Sequence, residues 1–480
     1  MFQPESGELL LKRIDQLDQP IEKPTEKITQ PTTDLSSELI LSSQIIQSQQ
    51  LTVASVLSPQ TWPFSLEWLP PSTYLVGGNV RDALLGRQAE YLDLDFVMPD
   101  GAVRAAKMIA NHYRAGFVLL DAERQIARVV FERATVDFAQ QVGTSLQEDL
   151  THRDFTVNAI AYNPHTEQLL DPVQGYADLQ LRRIRMVHVD NLKEDPLRLL
   201  RAYRQAAQLG FNIEYQTRKA IQRLADLLKF VAAERVQAEL SYLLGTAKGT
   251  PFLTLAWQDG LLANWLPHAT AQGLEQLARV DEAAELLDAT QFATGLELSG
   301  WLRDQHRVSG SGRSWLKVAK LASLLSTDLT VAEHELWRLK YSRAEIQAVL
   351  AVITLLPQIQ ASGTSPLSAR QQYYLFRNIG AAFPALAVSG LASGLPLATL
   401  APLIERYLTA DDPIAHPAPL LTGRDLMAQL HLAPSPTIGH LLEAIQLARA
   451  EGKISTHLEA LDFAKILIQS PAHNSDEALK

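Results

Sequence analysis

The sequence predicts an α+β protein, with a mixed sheet-and-helix domain near the N-terminus and only helices after it. Between residues 73 and 180, short apolar runs typical of strands are interspersed with helical patterns. From Leu197 onward the strand patterns fade, and apolar residues recur with the spacing of amphipathic helices. The chain has 480 residues, 46% of them hydrophobic and 20% charged, which suggests about three domains of ordinary globular composition.

Composition excludes several classes of function. The chain contains no cysteine, so disulfides, thiolate nucleophiles and cysteine-ligated zinc are excluded, and a cytoplasmic location is expected. We find no apolar run of about 18 residues and no secretory signal at the N-terminus, so no membrane association is expected. Because the formal net charge is −10, binding to nucleic acid would require a local basic surface.

Residues 1–60 are predicted to be mostly disordered. They are rich in Gln, Ser, Thr, Pro and Glu, as in EKPTEKITQPTTDLSSE. Such a segment cannot bury enough apolar surface to offset the entropy lost on ordering.

Residues 61–180 form the predicted mixed domain, the head. The stretch TYLVGG reads as a buried strand entering a turn, and NVRDALLG as a helix ended by Gly86. In YLDLDFVM the side chains alternate, which places Asp93 and Asp95 on one face of a strand. A helix is predicted for AVRAAKMIANHY, and further strands for FVLLD, ARVVFE, ATVDFA and AIAYN.

The helical remainder divides into a neck (181–250), a body (251–410) and a tail (411–480). Glycines and prolines at 361–366 and 411–419 are the candidate joints. In the tail, the residues from Thr437 to Gly439 stand at the start of a predicted helix. A helix N-terminus can bind an anion, so a contact with an RNA backbone is one reading, and an ordinary helix–turn–helix tail is the other.

The pair Asp93 and Asp95 is a candidate metal site. Hard divalent cations such as Mg²⁺ prefer oxygen ligands, and two-metal phosphoryl transfer usually requires a third carboxylate nearby. Asp137, on another predicted strand, is the candidate for that third catalytic carboxylate. Taken alone, a D-x-D pair is more often a solvated surface than a ligand set.

The Gly77–Gly78 turn is a candidate phosphate site. Glycines allow backbone N–H groups to approach a phosphate closely, and the helix that follows directs its positive end toward the same place. Arg81 can add a fork of donors. A lone Gly-Gly turn is usually structural, but a turn of this kind shortly before a D-x-D pair favours a nucleotide site.

Five stretches, in chain order over about residues 74–245, resemble the motifs of one family. They are LVGGNVRDALLG with DLDF, then HRDFTVNAIAY, DPVQG, EDPLRLLRAYR and ERVQAEL. Together they resemble the class II CCA-adding tRNA nucleotidyltransferases and their bacterial poly(A) polymerase relatives. The resemblance implies a polymerase-β-like head and template-independent addition of C and/or A to tRNA 3′ ends. CTP and ATP would be the substrates, pyrophosphate the leaving product and Mg²⁺ the cofactor in two-metal catalysis.

The resemblance also implies roles for individual residues. Asp93 and Asp95 would bind the metal, and Asp195 with Arg198 would recognise the incoming base. The nucleotide-binding set would comprise Gly77, Gly78, Arg81, Arg153, Asp154, Asn158, Asp195, Arg198, Arg201 and Arg204.

Base recognition by Asp195 and Arg198 is chemically reasonable. An ionised aspartate only accepts hydrogen bonds and an arginine only donates them. Cytosine and adenine each present an amino donor beside a ring-nitrogen acceptor, whereas uracil and guanine present a carbonyl instead of the amino group. Two structural alternatives remain open. Asp195 also fits a helix N-cap before Pro196, and the three arginines of the motif also fit a solvated or phosphate-binding helix face.

Other points are left open by the sequence. The alternative for Asp154 is a structural role as the ion-pair partner of Arg153. His152 stands where the family usually has an arginine, which would weaken one phosphate contact. The segment between Asp137 and His152 is short, as in CC-only members, whereas many CCA-adding members carry a longer flexible loop there; a lineage with a differently built head could add A. Poly(A) addition is the second reading, and an inactive relative that only binds RNA is the third.

Overall fold

The structure, a computed structural model, describes residues 57–87, 91–290, 314–363 and 365–469. Most of the segment predicted to be disordered, up to residue 56, therefore lies outside the described residues. The described residues begin with Leu57, which is buried and precedes the predicted start of the head at residue 61. A 3-10 turn at Pro59–Thr61 follows it directly.

The head is built on one seven-stranded mixed sheet, in the order β3-β4-β5-β2-β1-β6-β7. The strands are β1 (Tyr74–Val76), β2 (Leu92–Met98), β3 (Gly116–Asp121), β4 (Ile126–Val130), β5 (Ala134–Gln140), β6 (Ala161–Asn163) and β7 (Gln168–Leu170). The helices of the head are α1 (Gly78–Leu84), α2 (Ala102–Tyr113), α3 (Leu146–Thr151) and α4 (Gly175–Gln180). The predicted α+β head is confirmed, and β7 is an additional strand.

Alternation along β2 positions the carboxylates of the D-x-D pair. Leu94 and Phe96 are buried on one face of β2, and the Phe96 ring stacks on Phe138 of β5 with 5.5 Å between centroids. The side chains of Asp93 and Asp95 must therefore lie on the opposite face. The core of the head thus holds β2 rigidly while its polar face stays open.

The neck begins with α5 (Val189–Glu194), α6 (Leu197–Leu209), α7 (Tyr215–Leu224) and α8 (Ala233–Leu244). Two short strands, β8 (Arg183–Ile184) and β9 (Asn212–Ile213), pair in parallel beside these helices. The prediction that the neck is purely helical is therefore wrong at this pair. A two-residue strand has no periodicity from which it could be recognised, so its formation depends on tertiary contacts.

The body and the tail are helical, as predicted. Their helices are α9 (Thr250–Gln258), α10 (Ala271–Ala289), α11 (Trp315–Leu324), α12 (Leu329–Arg338), α13 (Arg343–Ala361), α14 (Ala369–Ile379), α15 (Phe383–Ala392), α16 (Leu397–Leu408), α17 (Gly423–Leu430), α18 (Pro436–Ala450) and α19 (His457–Gln469). Two stretches, Arg343–Ala361 and Ala369–Ala392, are long and apolar enough to cross a membrane by length and composition. Their apolar positions, such as Val352 and Leu386, contribute to the core of the body.

Candidate active site

A cleft of about 580 Å³ opens between the polar face of the sheet and the first helices of the neck. All but one of the residues proposed from the sequence line this cleft: Gly77, Gly78, Arg81, Asp93, Asp95, Arg153, Asp154, Asn158, Asp195, Arg198, Arg201 and Arg204. The exception is Asp137. Residues from α1, β2, the segment after α3 and α6 therefore converge, although they are separated by more than 100 positions in the chain.

Gly77 forms a turn that no other residue would fit. Its φ of +78° lies in the region that favours glycine. A Cβ added at this position would lie 3.3 Å from Asp95 Oδ2 and 3.6 Å from Arg153 Nη1. A side chain at Gly77 would therefore both strain the backbone and intrude between an acidic and a basic group of the cleft.

The D-x-D pair carries uncompensated negative charge. The Thr135 hydroxyl donates a hydrogen bond of 2.6 Å to Asp93 Oδ1. Burial and the neighbouring charges of Asp93 and Asp137 raise the pKa of Asp95 to about 7, against the lowering effects of Arg153 and Arg128. A divalent cation bound between Asp93 and Asp95 would relieve this repulsion, so the two residues suit a hard metal ion.

Asp137 lies beside Asp95 but is bound to an arginine. It is the Cα partner of Asp95 across β2 and β5, and of Arg128 across β4 and β5. Arg128 donates from Nε to Asp137 Oδ1 at 2.7 Å and from Nη2 to Oδ2 at 2.8 Å. Within the described ranges, no group of three or more His, Asp or Glu side chains could hold a metal ion. The catalytic role of Asp137 stays a prediction, and the geometry gives it another partner.

Asp154 is the centre of a buried hydrogen-bond network. Its Oδ2 lies 3.0 Å from Arg201 Nη2, and its Oδ1 accepts a hydrogen bond from Asn158 Nδ2 at 2.8 Å. Gln205 bridges Asp154 and Asn158, because it donates to Asp154 and accepts from Asn158. Burial alone would raise the pKa of Asp154, but the charge of Arg201 and these hydrogen bonds hold it below its usual range. The alternative partner proposed from the sequence, Arg153, is wrong, because Arg153 pairs with Asp149.

Arg81 is fully engaged by protein groups. Its Nε and Nη2 donate to the two carboxylate oxygens of Asp82 at 2.9 and 2.8 Å, and its Nη1 donates to Asn158 at 2.8 Å. The guanidinium is buried. Nucleotide binding by Arg81 remains a prediction. In this arrangement Arg81 would orient Asn158, and it would contact a nucleotide only if its two hydrogen bonds to Asp82 broke.

Arg153 and Arg198 retain donors in the cleft. Arg153 pairs with Asp149 through Nη2 at 3.2 Å, while its Nε is buried without a hydrogen-bond partner. Arg198 donates from Nη1 to the carbonyl oxygens of His152 and Asn191, at 2.9 and 3.2 Å. Because Nη1 anchors it, the rest of the Arg198 guanidinium can face a ligand.

The helices of the neck fix the remaining charged groups of the cleft. Arg235 on α8 binds Asp195 through both nitrogens of its fork, with 2.9 Å between Nη2 and Oδ2. Asp195 also accepts from the backbone N–H of Leu197 at 3.3 Å. The N-cap of α6 is Pro196, without a side-chain cap, so the expectation of Asp195 as the N-cap is wrong. A second ion pair joins Arg204 on α6 to Glu239 on α8.

Five further residues line the cleft that sequence reasoning missed: Asn79, Asp82, Tyr91, Gln205 and Gln208. The position of two of them could have been inferred, because Gln205 and Gln208 each follow a proposed arginine of α6 by four residues, on the same helix face. No comparable signal marks Tyr91.

Comparisons with known proteins agree with this geometry. Three family models match: the poly(A) polymerase head domain (residues 73–185), the RNA- and SrmB-binding site of polymerase A (210–272) and tRNA nucleotidyltransferase domain 2 (312–464). The chain is 49% identical over 414 residues to a CC-adding tRNA nucleotidyltransferase of Synechocystis sp., covering 86% of this chain and 97% of that protein. It is 34% identical over 435 residues to an A-adding tRNA nucleotidyltransferase of Deinococcus radiodurans, covering 82% and 95%.

The fold has solved counterparts. One is the Thermotoga maritima CCA-adding enzyme in complex with tRNA, which is 21% identical and matches with a TM-score of 0.61 over 91% of this chain and 99% of that chain. At this identity the likeness concerns the fold.

Proposed function

The chain belongs to the tRNA nucleotidyltransferase family, and from this membership we propose that it is a CC-adding enzyme, which attaches two cytidines but not the terminal adenosine. It is a nucleotidyltransferase that extends the 3′ end of tRNA from nucleoside triphosphates. The observation that carries the CC assignment is the 49% identity to a CC-adding relative over nearly its full length, against 34% to an A-adding one.

The connections of the head support the same assignment. Between β2 and α3, the segments outside helices and strands are 99–101, 114–115, 122–125, 131–133 and 141–145. None is the longer flexible loop that the family resemblance associates with many CCA-adding members. The segment between Asp137 and His152 thus consists of the end of β5, a five-residue connection (141–145) and α3.

Recognition of the incoming base would depend on Asp195 and Arg198. Arg235 fixes the plane of the Asp195 carboxylate, whose remaining lone pairs can accept the N4 amino group of cytosine. Arg198, anchored through Nη1, can donate to the acceptors N3 and O2. Uracil would place a carbonyl against the carboxylate. Such an unpaired polar contact costs about 1–3 kcal/mol, which is enough for useful discrimination.

Binding of the triphosphate would depend on the opposite wall. Arg153, which lines the cleft and pairs with Asp149 through Nη2, would provide donors for phosphate oxygens, and the side-chain-free backbone at Gly77 would provide space for them. Family members generally use a divalent metal, and we propose that it is Mg²⁺ held by Asp93 and Asp95. That ion would supply charge stabilisation for the attack of the 3′-hydroxyl on the α-phosphorus and for departure of pyrophosphate.

Two expectations accompany this proposal. An enzyme that acts on tRNA is expected in the cytoplasm. The first turn of α18, which includes Thr437 and Gly439, remains the candidate for a contact between the tail and the tRNA backbone.

The activity is tested with three tRNAs, ending in the discriminator base, in C and in CC, each offered CTP, ATP or both. We expect two cytidines on the first RNA, one on the second and none on the third, with no adenosine on any of them. Adenosine on the CC-ended tRNA would contradict the CC assignment. Long adenosine tails on unrelated RNA would indicate a poly(A) polymerase, and a lack of any incorporation would indicate an inactive relative.

A further inference from the structure

We infer that Arg128 is a positioning residue, which keeps Asp137 out of the metal's coordination shell, so that this enzyme holds its catalytic metal with Asp93 and Asp95 alone. The inference rests on the proposed metal site and concerns which of its neighbours bind the ion. It assigns to Asp137 a partner role in place of the ligand role expected from the sequence.

The sheet register brings the three side chains into one row. Arg128 on β4 is the direct partner of Asp137 on β5, and Asp137 is the direct partner of Asp95 on β2. Directly opposed residues of neighbouring strands share a face of the sheet. Asp137 therefore has a cation on one side and a candidate metal ligand on the other.

The contact with Arg128 uses both oxygens of Asp137. Two parallel hydrogen bonds of 2.7 and 2.8 Å form a bidentate fork, the strongest and most directional arrangement of these groups. The Asp137 side chain is 19% exposed, so the pair is only partly screened by solvent. To bind the ion that Asp93 and Asp95 would hold, Asp137 would have to turn an oxygen away from this fork.

Asp93 has a different kind of partner. The hydroxyl of Thr135, two residues before Asp137 on β5, donates to only one oxygen, Oδ1. The other oxygen, Oδ2, accepts no side-chain hydrogen bond within the described part of the chain. β5 thus supplies a neutral group that orients Asp93 and a carboxylate that is already neutralised by Arg128. The difference explains why, of the three carboxylates on β2 and β5, Asp93 and Asp95 line the cleft and Asp137 does not.

Binding of Mn²⁺ to the purified full-length protein, without RNA or nucleotide, tests the inference. Free Mn²⁺ is followed by electron paramagnetic resonance. The informative variant is the double substitution Arg128→Gln with Asp137→Asn, which removes the pair without changing its net charge. We expect its Kd to stay within about twofold of the wild type, because no ligand is lost.

Arg128→Gln alone leaves Asp137 charged and released. We expect Mn²⁺ to bind severalfold more tightly in this variant, because a third carboxylate becomes available beside Asp95. The matched control is Arg124→Gln, which removes an exposed arginine paired with Asp121 at 4.0 Å on the adjacent β3–β4 turn. We expect it to leave the Kd unchanged.

Two outcomes would overturn the inference. One is a double variant that binds Mn²⁺ at least about tenfold more weakly although its thermal unfolding is unchanged, since this would make Asp137 a ligand. The other is an unchanged Kd in Arg128→Gln. Asp93→Asn separates this result from the proposed function: if that variant keeps Mn²⁺ affinity, the metal site itself is wrong, whatever Arg128 does.

Discussion

The two ends of the cleft use the same residue type in opposite ways. At the neck end, each aspartate faces an arginine: Asp154 lies 3.0 Å from Arg201, and Asp195 lies 2.9 Å from Arg235. At the sheet end, Asp95 faces other carboxylates, and burial with their charge raises its pKa to about 7. At the neck end each negative charge is paired with an arginine, whereas at the sheet end the negative charge of the carboxylates is in excess.

This difference suggests that the neck end is suited to holding a ligand in place and the sheet end to binding a metal ion. The ion pairs at the neck end hold donors and acceptors in fixed positions, which would reduce the reorganisation needed to bind the proposed neutral base. The excess negative charge at the sheet end is unfavourable without a counter-ion and favours binding of the proposed divalent cation.

Removal of a sheet-end carboxylate should have the largest effect on activity. We expect Asp93→Ala or Asp95→Ala to reduce cytidine transfer by about three orders of magnitude or more, because the proposed metal would lose a ligand. Transfer from CTP to tRNA measures the loss, and circular dichroism checks that the fold is kept. Asp100→Ala, just beyond the end of β2, is the matched control and should remain active. Retained activity in either test variant would defeat the assignment.

Removal of a neck-end carboxylate should mainly affect stability. Asp154→Ala leaves Arg201 and Asn158 without their buried partner, and we expect the free energy of unfolding to fall by about 3–5 kcal/mol. Urea unfolding measures this change. A loss below about 1 kcal/mol would show that the network is not a structural element.

Neutralising Asp195, the aspartate proposed to recognise the base, should relax specificity. We expect Asp195→Asn to lower the preference for CTP over UTP by about one to two orders of magnitude, which corresponds to about 1–3 kcal/mol. Relative kcat/KM values for the two nucleotides measure it. Asp190→Asn, an exposed ion-pair partner of Lys193 in the same segment, is the control. An unchanged preference in Asp195→Asn would place base recognition elsewhere.

The pH dependence of stability should show a smaller effect. Because the pKa of Asp154 is lower in the folded protein than in the unfolded chain, its stabilisation is complete above about pH 4 and is lost as the pH falls through the folded value. The difference in unfolding free energy between wild type and Asp154→Asn should therefore shrink as the pH falls below about 4. A difference that stays constant down to pH 2 would contradict the sign of this shift.

Much of the site could be predicted because it depends on local motifs. The D-x-D alternation places Asp93 and Asp95 on one face of β2, and the positive φ of Gly77 is what a glycine turn implies. The resemblance across five motifs then identified the residues of α6 that meet them. The α+β architecture followed from the loss of alternation after the head.

The ion-pair partners of the site residues could not be predicted, because neighbouring sequence does not determine them. From the sequence, Arg153 was a candidate ion-pair partner of Asp154. In the structure, the packing of α6 places Arg201 beside Asp154, and Arg153 pairs with Asp149. Asp137 was expected to bind metal, yet the strand register places Arg128 opposite it. Such pairings follow from tertiary packing and register, which motif spacing does not determine.

The opposite electrostatics of the two ends can be tested most directly by charge-neutral isosteres. Urea unfolding is measured for wild type, Asp95→Asn and Asp154→Asn at pH 8, with metal chelated. We predict that Asp95→Asn raises the unfolding free energy by about 1 kcal/mol, whereas Asp154→Asn lowers it. Destabilisation by both substitutions would contradict the account, because Asp95 would then have a stabilising partner within the protein.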